Sequence, residues 1–450
     1  MSETKALAEC IVRTDFGNIP DDVNEKAKEA IVDMVGVALY GSQHEVGEQI
    51  TSYVEAMAPG EGATLFGGGT ASPAGAALAN GTFGHAIDYD DTFESIVIHP
   101  TAPVFSAALA MSEAVGASGR DVLTGYAVGV EAAYRTGHST YPSHYDNGWH
   151  STGTAGSFGA TAAAASVGDL SITETQHALG ITASLSSSLK KNFGTMTKPL
   201  HPGHAAQMGI RATNLAGEGF TADPEIFEGD IGYGEVMTAD DTYDSTEITE
   251  GLGDSWAVTD IGYKPYPSGV ITHAAMDALR GLLIEHGLET DDIETVTVAL
   301  DEAANEMLHH ANPQTELEAK FSIEFCLAAV LREQDPGIHE FTDEYVTAPE
   351  TKAQIQKVER DFKENLFGGN FANYAAQVDI TTVDGEQYTA EEKYAPGSPN
   401  NPMSEERLRG KFDECAEVVL SESEASLVYD AITTLESEGA LDQLLDAVNP

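Results

Sequence analysis

Residues 85–92 read His85-Ala86-Ile87-Asp88-Tyr89-Asp90-Asp91-Thr92, and the pair His99-Pro100 follows shortly after. Small apolar residues flank this acidic segment over 76–81 and 102–110, and no lysine or arginine occurs between Glu29 and Gly119. Burying carboxylates in apolar surroundings without a nearby cation costs free energy, so such clusters usually persist because chemistry needs them. We therefore expect a functional cluster inside this apolar stretch, with a solvated acidic turn and helix capping as the alternative.

The first 260 residues carry the periodicity of helices, and several of these segments are dense in alanine and glycine. Helices rich in small residues can pack closely and are expected to be buried on most sides. The predicted helices span residues 21–39, 46–58, 72–89, 103–115, 119–136, 153–168, 172–186 and 205–217.

The pattern changes near residue 260 and returns to helices after residue 399. Residues 294–300 alternate and are β-branched, which predicts a strand. Residues 376–383 and 386–389, joined by Asp384-Gly385, predict a hairpin. Helices are expected at 273–288, 322–331, 404–415, 421–437 and 440–448. The sequence thus predicts a mainly α protein: a large all-helical domain (1–262, completed by 400–450) and a smaller α+β lid domain (263–399).

Charge dominates the composition, since 73 acidic residues against 22 basic ones give a net charge of −51. So large an excess of acidic residues is typical of the solvated surface of a halophilic protein in high salt. It argues against nucleic acid or an anionic membrane as a partner. A small anionic substrate remains compatible, because a local cationic pocket can be screened from the rest of the surface.

The compartment inferred from the sequence is the cytoplasm. The first ten residues lack a basic-then-apolar signal pattern, and no apolar run approaches the length of a membrane span. Three widely separated cysteines, Cys10, Cys326 and Cys415, suggest reduced thiols.

Lysine is scarce, so a lysine within apolar, Gly/Pro-rich sequence is a candidate for function. Lys198 lies in a Met-Thr-Lys-Pro-Leu-His segment that ends at His201, and Lys264 lies in Lys-Pro-Tyr-Pro shortly before His273. We expect both segments to be turns that hold an ammonium near histidines. Such groups suit carboxylate recognition and acid–base chemistry near neutral pH. His150, before an Ala-rich helix, is either a cap-region residue or a hydrogen-bond donor to substrate.

Metal and nucleotide patterns are weak, and we expect no cofactor. Asp88-x-Asp90-Asp91 lacks the length and terminal glutamate of a calcium loop. His201-x-x-His204 differs from the His-Glu-x-x-His spacing of zinc proteases. The Gly67-Gly68-Gly69 run lacks both dinucleotide and Walker spacing.

Taken together, these motifs resemble the MmgE/PrpD family over nearly the whole chain. The matching segments are residues 72–81, 85–92, 99–100, 148–154, 196–201, 264–267 and 318–323. The family includes 2-methylcitrate dehydratase, cis-aconitate decarboxylase and an iminodisuccinate epimerase. The resemblance implies a helical domain with a smaller α+β lid, a homodimer, and catalysis without metal or organic cofactor.

By this likeness, the catalytic positions are Asp88, Thr92, His99, His150 and Lys198, and His201, Lys264 and His273 are candidates for binding substrate. Two of the departures from the family pattern bear on the choice of reaction. Phe325 stands where the decarboxylase has a tyrosine, and Thr101-Ala102-Pro103 replaces the Ser-Asp-Asn that follows His-Pro in the dehydratase.

The leading hypothesis is a cofactor-independent lyase that acts on a small di- or tricarboxylate, either dehydratase-like or decarboxylase-like. An isomerase or epimerase of an amino- or imino-dicarboxylate could use the same groups without a leaving group. Outside enzymes, the chain could be an inactive carboxylate-binding homologue.

Overall fold

A computed structural model describes residues 2–93, 95–239, 242–301, 307–363, 366 and 374–450. It divides into two compact units. Unit 1 comprises Met1–Ile261 together with Arg409–Pro450, and unit 2 comprises Gly262–Leu408. The sequence placed the domain boundaries at 262/263 and 399/400, and that these parts are separate domains stays a prediction.

Unit 1 is built from helices around an apolar core. In chain order its helices are α1 (Glu3–Arg13), α2 (Asp21–Gln43), α3 (Glu45–Met57), α4 (Pro73–Gly84), α5 (Thr101–Val115), α6 (Gly119–Thr140), α7 (Ser143–Asp146), α8 (Ser151–Val167), α9 (Ile172–Leu185), α10 (Thr197–Gly217) and α11 (Tyr233–Met237). A short antiparallel pair, β1 (Ala63–Thr64) and β2 (Thr70–Ala71), precedes α4. Near the C-terminus lie α17 (Glu405–Ala416, part of unit 1 from Arg409), α18 (Glu422–Thr433) and α19 (Ala440–Ala447).

Unit 2 places helices on a four-stranded mixed sheet. Its strands are β3 (Ile293–Asp301), β4 (Val358–Lys363), β5 (Ala376–Thr382) and β6 (Gln387–Glu392), in the order β4-β3-β5-β6. Strands β3 and β4 are parallel, and the other pairs are antiparallel. Its helices are α12 (His273–His286), α13 (Glu316–Ala319), α14 (Ile323–Glu333), α15 (Asp343–Thr347) and α16 (Pro349–Ile355). The apolar faces of α12, α14 and the sheet form the core.

The structure confirms the predicted fold class, a mainly helical protein with a small α+β part. Strand β4 and helix α1 were not predicted. Across the described residues, none of the helices combines the length and hydropathy that a bilayer crossing requires.

The two largest errors in the predicted helix boundaries fall at the acidic segment and at Lys198. Helix α4 ends at Gly84 rather than at residue 89, and Asp88 has the left-handed φ of 58°. Helix α10 begins at Thr197 rather than at residue 205, so Lys198 lies in its first turn and not in a Pro/Gly turn. Pro199 is compatible with that turn because the first amides of a helix have no intrahelical acceptor.

Close packing of α4 on α10 brings the segment after α4, which contains Asp88, close to Lys198 in the first turn of α10. A Cβ atom on Gly203 would lie 2.2 Å from Thr82 Oγ1 and 2.3 Å from the Leu78 carbonyl oxygen. A Cβ on Gly81 would lie 2.9 Å from the Cα of Gly203. Glycine at these positions therefore sets how closely the two helices cross.

The corner between α7 and α8 is fixed by His144. Its Nε2 lies 2.7 Å from Thr154 Oγ1, its Nδ1 lies 3.1 Å from the Met237 carbonyl oxygen, and its ring stacks on Trp149. Burial lowers the pKa of His144 from 6.5 to about 4. The ring is therefore neutral at neutral pH, and the corner places His150 immediately before α8.

We expect Gly203→Ala to lower the free energy of unfolding by roughly 1–3 kcal/mol, because the new methyl group overpacks the α4–α10 contact. The matched control in the same helix is Gly217→Ala, where a Cβ would meet nothing within 4 Å. That change should be neutral or stabilising by up to about 1 kcal/mol. Denaturant unfolding in multimolar KCl measures both, and equal effects of the two substitutions would contradict the close-packing argument.

We also expect His144 to make stability depend on pH. Between about pH 6.5 and 4 the unfolded chain binds a proton at this residue and the folded protein does not, so its contribution is lost as pH falls. Relative to His144→Asn, the wild type should lose about 1.4 kcal/mol per pH unit in that window. Unfolding titrations of both proteins at fixed KCl measure this difference, with the exposed His339→Asn as control. A pH-independent difference for His144→Asn would disprove the linkage.

Candidate active site

Three of the predicted catalytic residues converge in unit 1. Lys198 Nζ lies 2.7 Å from Asp88 Oδ2, and His99 Nε2 lies 3.8 Å from Asp88 Oδ1. All three side chains are buried. The left-handed backbone of Asp88 is uncommon for a residue other than glycine, although aspartate tolerates it better than most. Such conformations cluster at functional sites, and this one turns the chain after α4 toward Lys198.

Hydrogen bonds fix the orientation of His99. Its backbone N–H donates to Thr152 Oγ1 at 3.1 Å, and its Nδ1 lies 2.8 Å from the carbonyl oxygen of Asp91. A carbonyl oxygen only accepts, so Nδ1 carries a hydrogen. The Nε2 atom, on the side of Asp88, is therefore the nitrogen that can take up or release a proton.

His150 and His201 are brought into direct contact. Their Nδ1 atoms lie 2.8 Å apart, so one ring donates a hydrogen bond to the other. Burial, followed by the positive charge of Lys198, holds the pKa of His150 well below its usual value and lowers that of His201 to about 4. Both rings are neutral at neutral pH, and they can act as hydrogen-bond partners rather than as cations.

Thr92 forms a hydrogen bond across the loop that precedes His99. Its hydroxyl donates to the Ile98 carbonyl at 3.3 Å, and Phe93 and Ile98 pair through their backbones. The hydroxyl is buried in this arrangement. Glu94, the next acidic residue after the segment 85–92, lies outside the described residues.

His85 and Asp90, which were not predicted as site residues, lie beside His99. His85 Nδ1 lies 2.7 and 2.9 Å from the two Asp90 oxygens, and its ring centroid lies 4.5 Å from that of His99. Asp90 Oδ2 lies 3.7 Å from His99 Nδ1. Both residues lie in the segment 85–92, but the spacing of its acidic residues does not predict which of them face the histidines.

Two further carboxylates of unit 1 hold the acidic segment in place. Asp91 accepts a hydrogen bond from the Thr101 hydroxyl at the start of α5, and burial raises its pKa well above the ordinary value. Lys411 of α17 pairs with Asp33 of α2 and donates to the Tyr89 carbonyl at 2.6 Å. The site loop is therefore tied to α2, α5 and α17.

Four of these residues could in principle hold a metal ion. His85, Asp88, Asp90 and His99 each offer one ligand atom, and these atoms lie within 4.8 Å of one another. Their contacts are those of a proton-transfer cluster, because His85 bonds to Asp90, His99 Nδ1 bonds to a carbonyl, and Asp88 faces an ammonium. A divalent ion at Asp88 would be repelled by Lys198. We therefore interpret the four residues as acid–base groups.

The remaining predicted residues, Lys264 and His273, belong to unit 2. Lys264 is buried, and His273, at the start of α12, lies with Nε2 3.2 Å from the Ser268 carbonyl oxygen and its ring edge-on to Tyr266. Their assignment to the substrate site stays a prediction.

Comparison with known proteins finds enzymes related over nearly the full length. The chain is 27% identical over 450 residues to cis-aconitate decarboxylase of Mus musculus, covering 97% of this chain and 91% of the mouse protein. It is 27% identical to the Homo sapiens enzyme, with 97% and 92% coverage. It is 26% identical to the Aspergillus terreus enzyme of the same name, with 96% and 93% coverage. Decarboxylases are carbon–carbon lyases, which agrees with the lyase class predicted from the sequence.

The family models match both parts of the chain. The MmgE/PrpD N-terminal domain matches residues 5–246, and the MmgE/PrpD C-terminal domain matches residues 266–436. Because these two models together match most of its length, the chain belongs to the MmgE/PrpD family.

Proposed function

We propose that this protein is a lyase that acts on a small di- or tricarboxylate, with cis-aconitate as the first candidate substrate. The observation that carries the proposal is the buried contact of Lys198, Asp88 and His99. The names of the relatives support the choice of substrate. Phe325, where the decarboxylase has a tyrosine, keeps a dehydratase-like reaction as the second possibility.

Lys198 provides the positive charge for substrate binding. Its ammonium is buried, and it faces Asp88 at 2.7 Å. A substrate carboxylate beside it gains a charge-assisted hydrogen bond in a site of low dielectric. The same ammonium stabilises the enediolate-like charge that develops on that carboxylate during the reaction.

His99 is the group that delivers the proton. In a decarboxylation, the bond between carbon and one carboxyl group breaks, and carbon dioxide leaves. The electron pair stays on the substrate as an enolate-like anion, and His99 Nε2–H gives its proton to carbon. Asp88 lies between His99 and Lys198, so it can orient both groups and share the proton.

His150 and His201 orient the substrate as neutral hydrogen-bond partners, because burial keeps both rings uncharged at neutral pH. Thr92 shapes the loop before His99, and its hydroxyl can turn to a substrate oxygen. Lys264 and His273 are proposed to bind a further carboxylate. We propose a cytoplasmic homodimer adapted to high salt.

We expect Lys198→Ala and His99→Ala each to lower kcat/KM by at least about 10²-fold, since a general acid–base group contributes about 10²–10⁴-fold. Turnover of cis-aconitate, citrate and 2-methylcitrate in multimolar KCl, followed by proton NMR, measures this. The exposed Lys191→Ala is the matched control and should retain wild-type activity. Near-wild-type turnover in both site variants would reject the assignment.

The same spectra separate the reaction classes. Release of carbon dioxide or formation of a new conjugated double bond identifies a lyase. Exchange of a substrate C–H with solvent deuterium, without net elimination, identifies the epimerase alternative. Tight tricarboxylate binding in calorimetry without any turnover would instead indicate a carboxylate-binding protein.

A further inference from the structure

His99 lies between two carboxylates that differ in what else they contact. On the Nε2 side, Asp88 Oδ1 lies 3.8 Å away, and the other oxygen of Asp88 pairs with Lys198. On the Nδ1 side, Asp90 Oδ2 lies 3.7 Å away, and both Asp90 oxygens contact His85. The carboxylate toward the reacting nitrogen is thus balanced by an ammonium, whereas the one behind the ring is held by an imidazole.

Asp90 is held rigidly. Its side chain is fully buried, and so is that of His85, the residue that caps the C-terminus of α4. Because both Asp90 oxygens lie within 2.9 Å of His85 Nδ1, the carboxylate cannot rotate without losing that contact. The tilted packing of the His85 and His99 rings, 4.5 Å between centroids, keeps Asp90 behind His99.

Four further titratable groups lie near His99: Lys198, His150, Asp91 and His85. Lys198 acts through Asp88, and the ring of His150, 6.5 Å away, is neutral at neutral pH. Asp91 contacts His99 through its backbone carbonyl, while its buried carboxyl, whose pKa is raised, bonds to Thr101. His85 offsets the negative charge of Asp90 only when its ring carries a second proton and is a cation.

We propose that Asp90, fixed by His85, is a positioning residue that stabilises the imidazolium form of His99 and so poises it as the proton donor. The inference rests on the proposed role of His99 as the general acid. The Asp91 carbonyl fixes which nitrogen reacts, and Asp90 supplies the negative charge that compensates the proton at Nε2. An opposite charge within about 4–6 Å favours the charged form of a titrating group.

The test compares Asp90→Asn, which preserves shape and removes the charge, with the exposed Asp169→Asn as control. Protein carrying 13C-labelled histidine is titrated by NMR in multimolar KCl, and His99 is assigned with His99→Gln. We expect the His99 midpoint to fall by about one to three pH units in Asp90→Asn and to stay unchanged in Asp169→Asn. An unchanged midpoint in Asp90→Asn would overturn the proposal.

Kinetics on cis-aconitate give a second readout. We expect kcat of Asp90→Asn to fall about 10- to 100-fold with KM changed less than about threefold, and the alkaline limb of the kcat profile to move to lower pH. A purely structural role would lower kcat without moving that limb, and this result would count against the proposal.

The two proposals can fail separately. If the wild type does not convert cis-aconitate, the substrate assignment fails, whereas the NMR midpoints still decide the role of Asp90. If Asp90→Asn does not fold, the wild-type titration decides, because the proposal requires a His99 midpoint above the ordinary value of about 6.5. A wild-type midpoint below that value would reject it.

Discussion

The burial of carboxylates in an apolar helical unit is the constraint on which the rest of the structure depends. Asp33, Asp88, Asp90 and Asp91 all lie in the interior of unit 1. Each has a specific compensating contact: Lys411, Lys198, His85 and Thr101, respectively. An uncompensated charge in such surroundings costs several kcal/mol. Two of these partners, Lys411 and Lys198, lie far from their carboxylates in sequence, so their ion pairs form only when the helical unit folds.

This arrangement explains why the site is so compact. Breaking a buried pair by removing one partner is strongly destabilising, which favours fixed geometry over flexibility. The Lys411 ammonium ties the Tyr89 carbonyl to α17, and the close crossing of α4 and α10 brings Lys198 to Asp88. The hydrogen bonds of His99 then fix the orientation of its ring. The contacts that hold the acidic segment in the fold are thus the same ones that place the candidate site residues together.

The net charge of the protein has the same sign as the charge of its proposed ligand. A net charge of −51 repels a small polycarboxylate at long range, although salt at molar concentration screens this repulsion within about 3 Å. Recognition then depends on short-range contacts with Lys198 and with neutral imidazoles. This is consistent with the scarcity of lysine elsewhere in the chain, where basic residues are few and specifically placed.

The sequence by itself determined the helical and α+β composition and most helix positions, because hydrophobic periodicity is a local property. It also pointed to Asp88, His99, Lys198, His150 and His201 before any coordinates. Only the tertiary structure decided that α4 stops at Gly84, that Lys198 starts a helix, and that Asp90 and His85 stand behind His99. These features depend on close approach between segments far apart in sequence, where glycine contacts and buried charge pairing override local propensity.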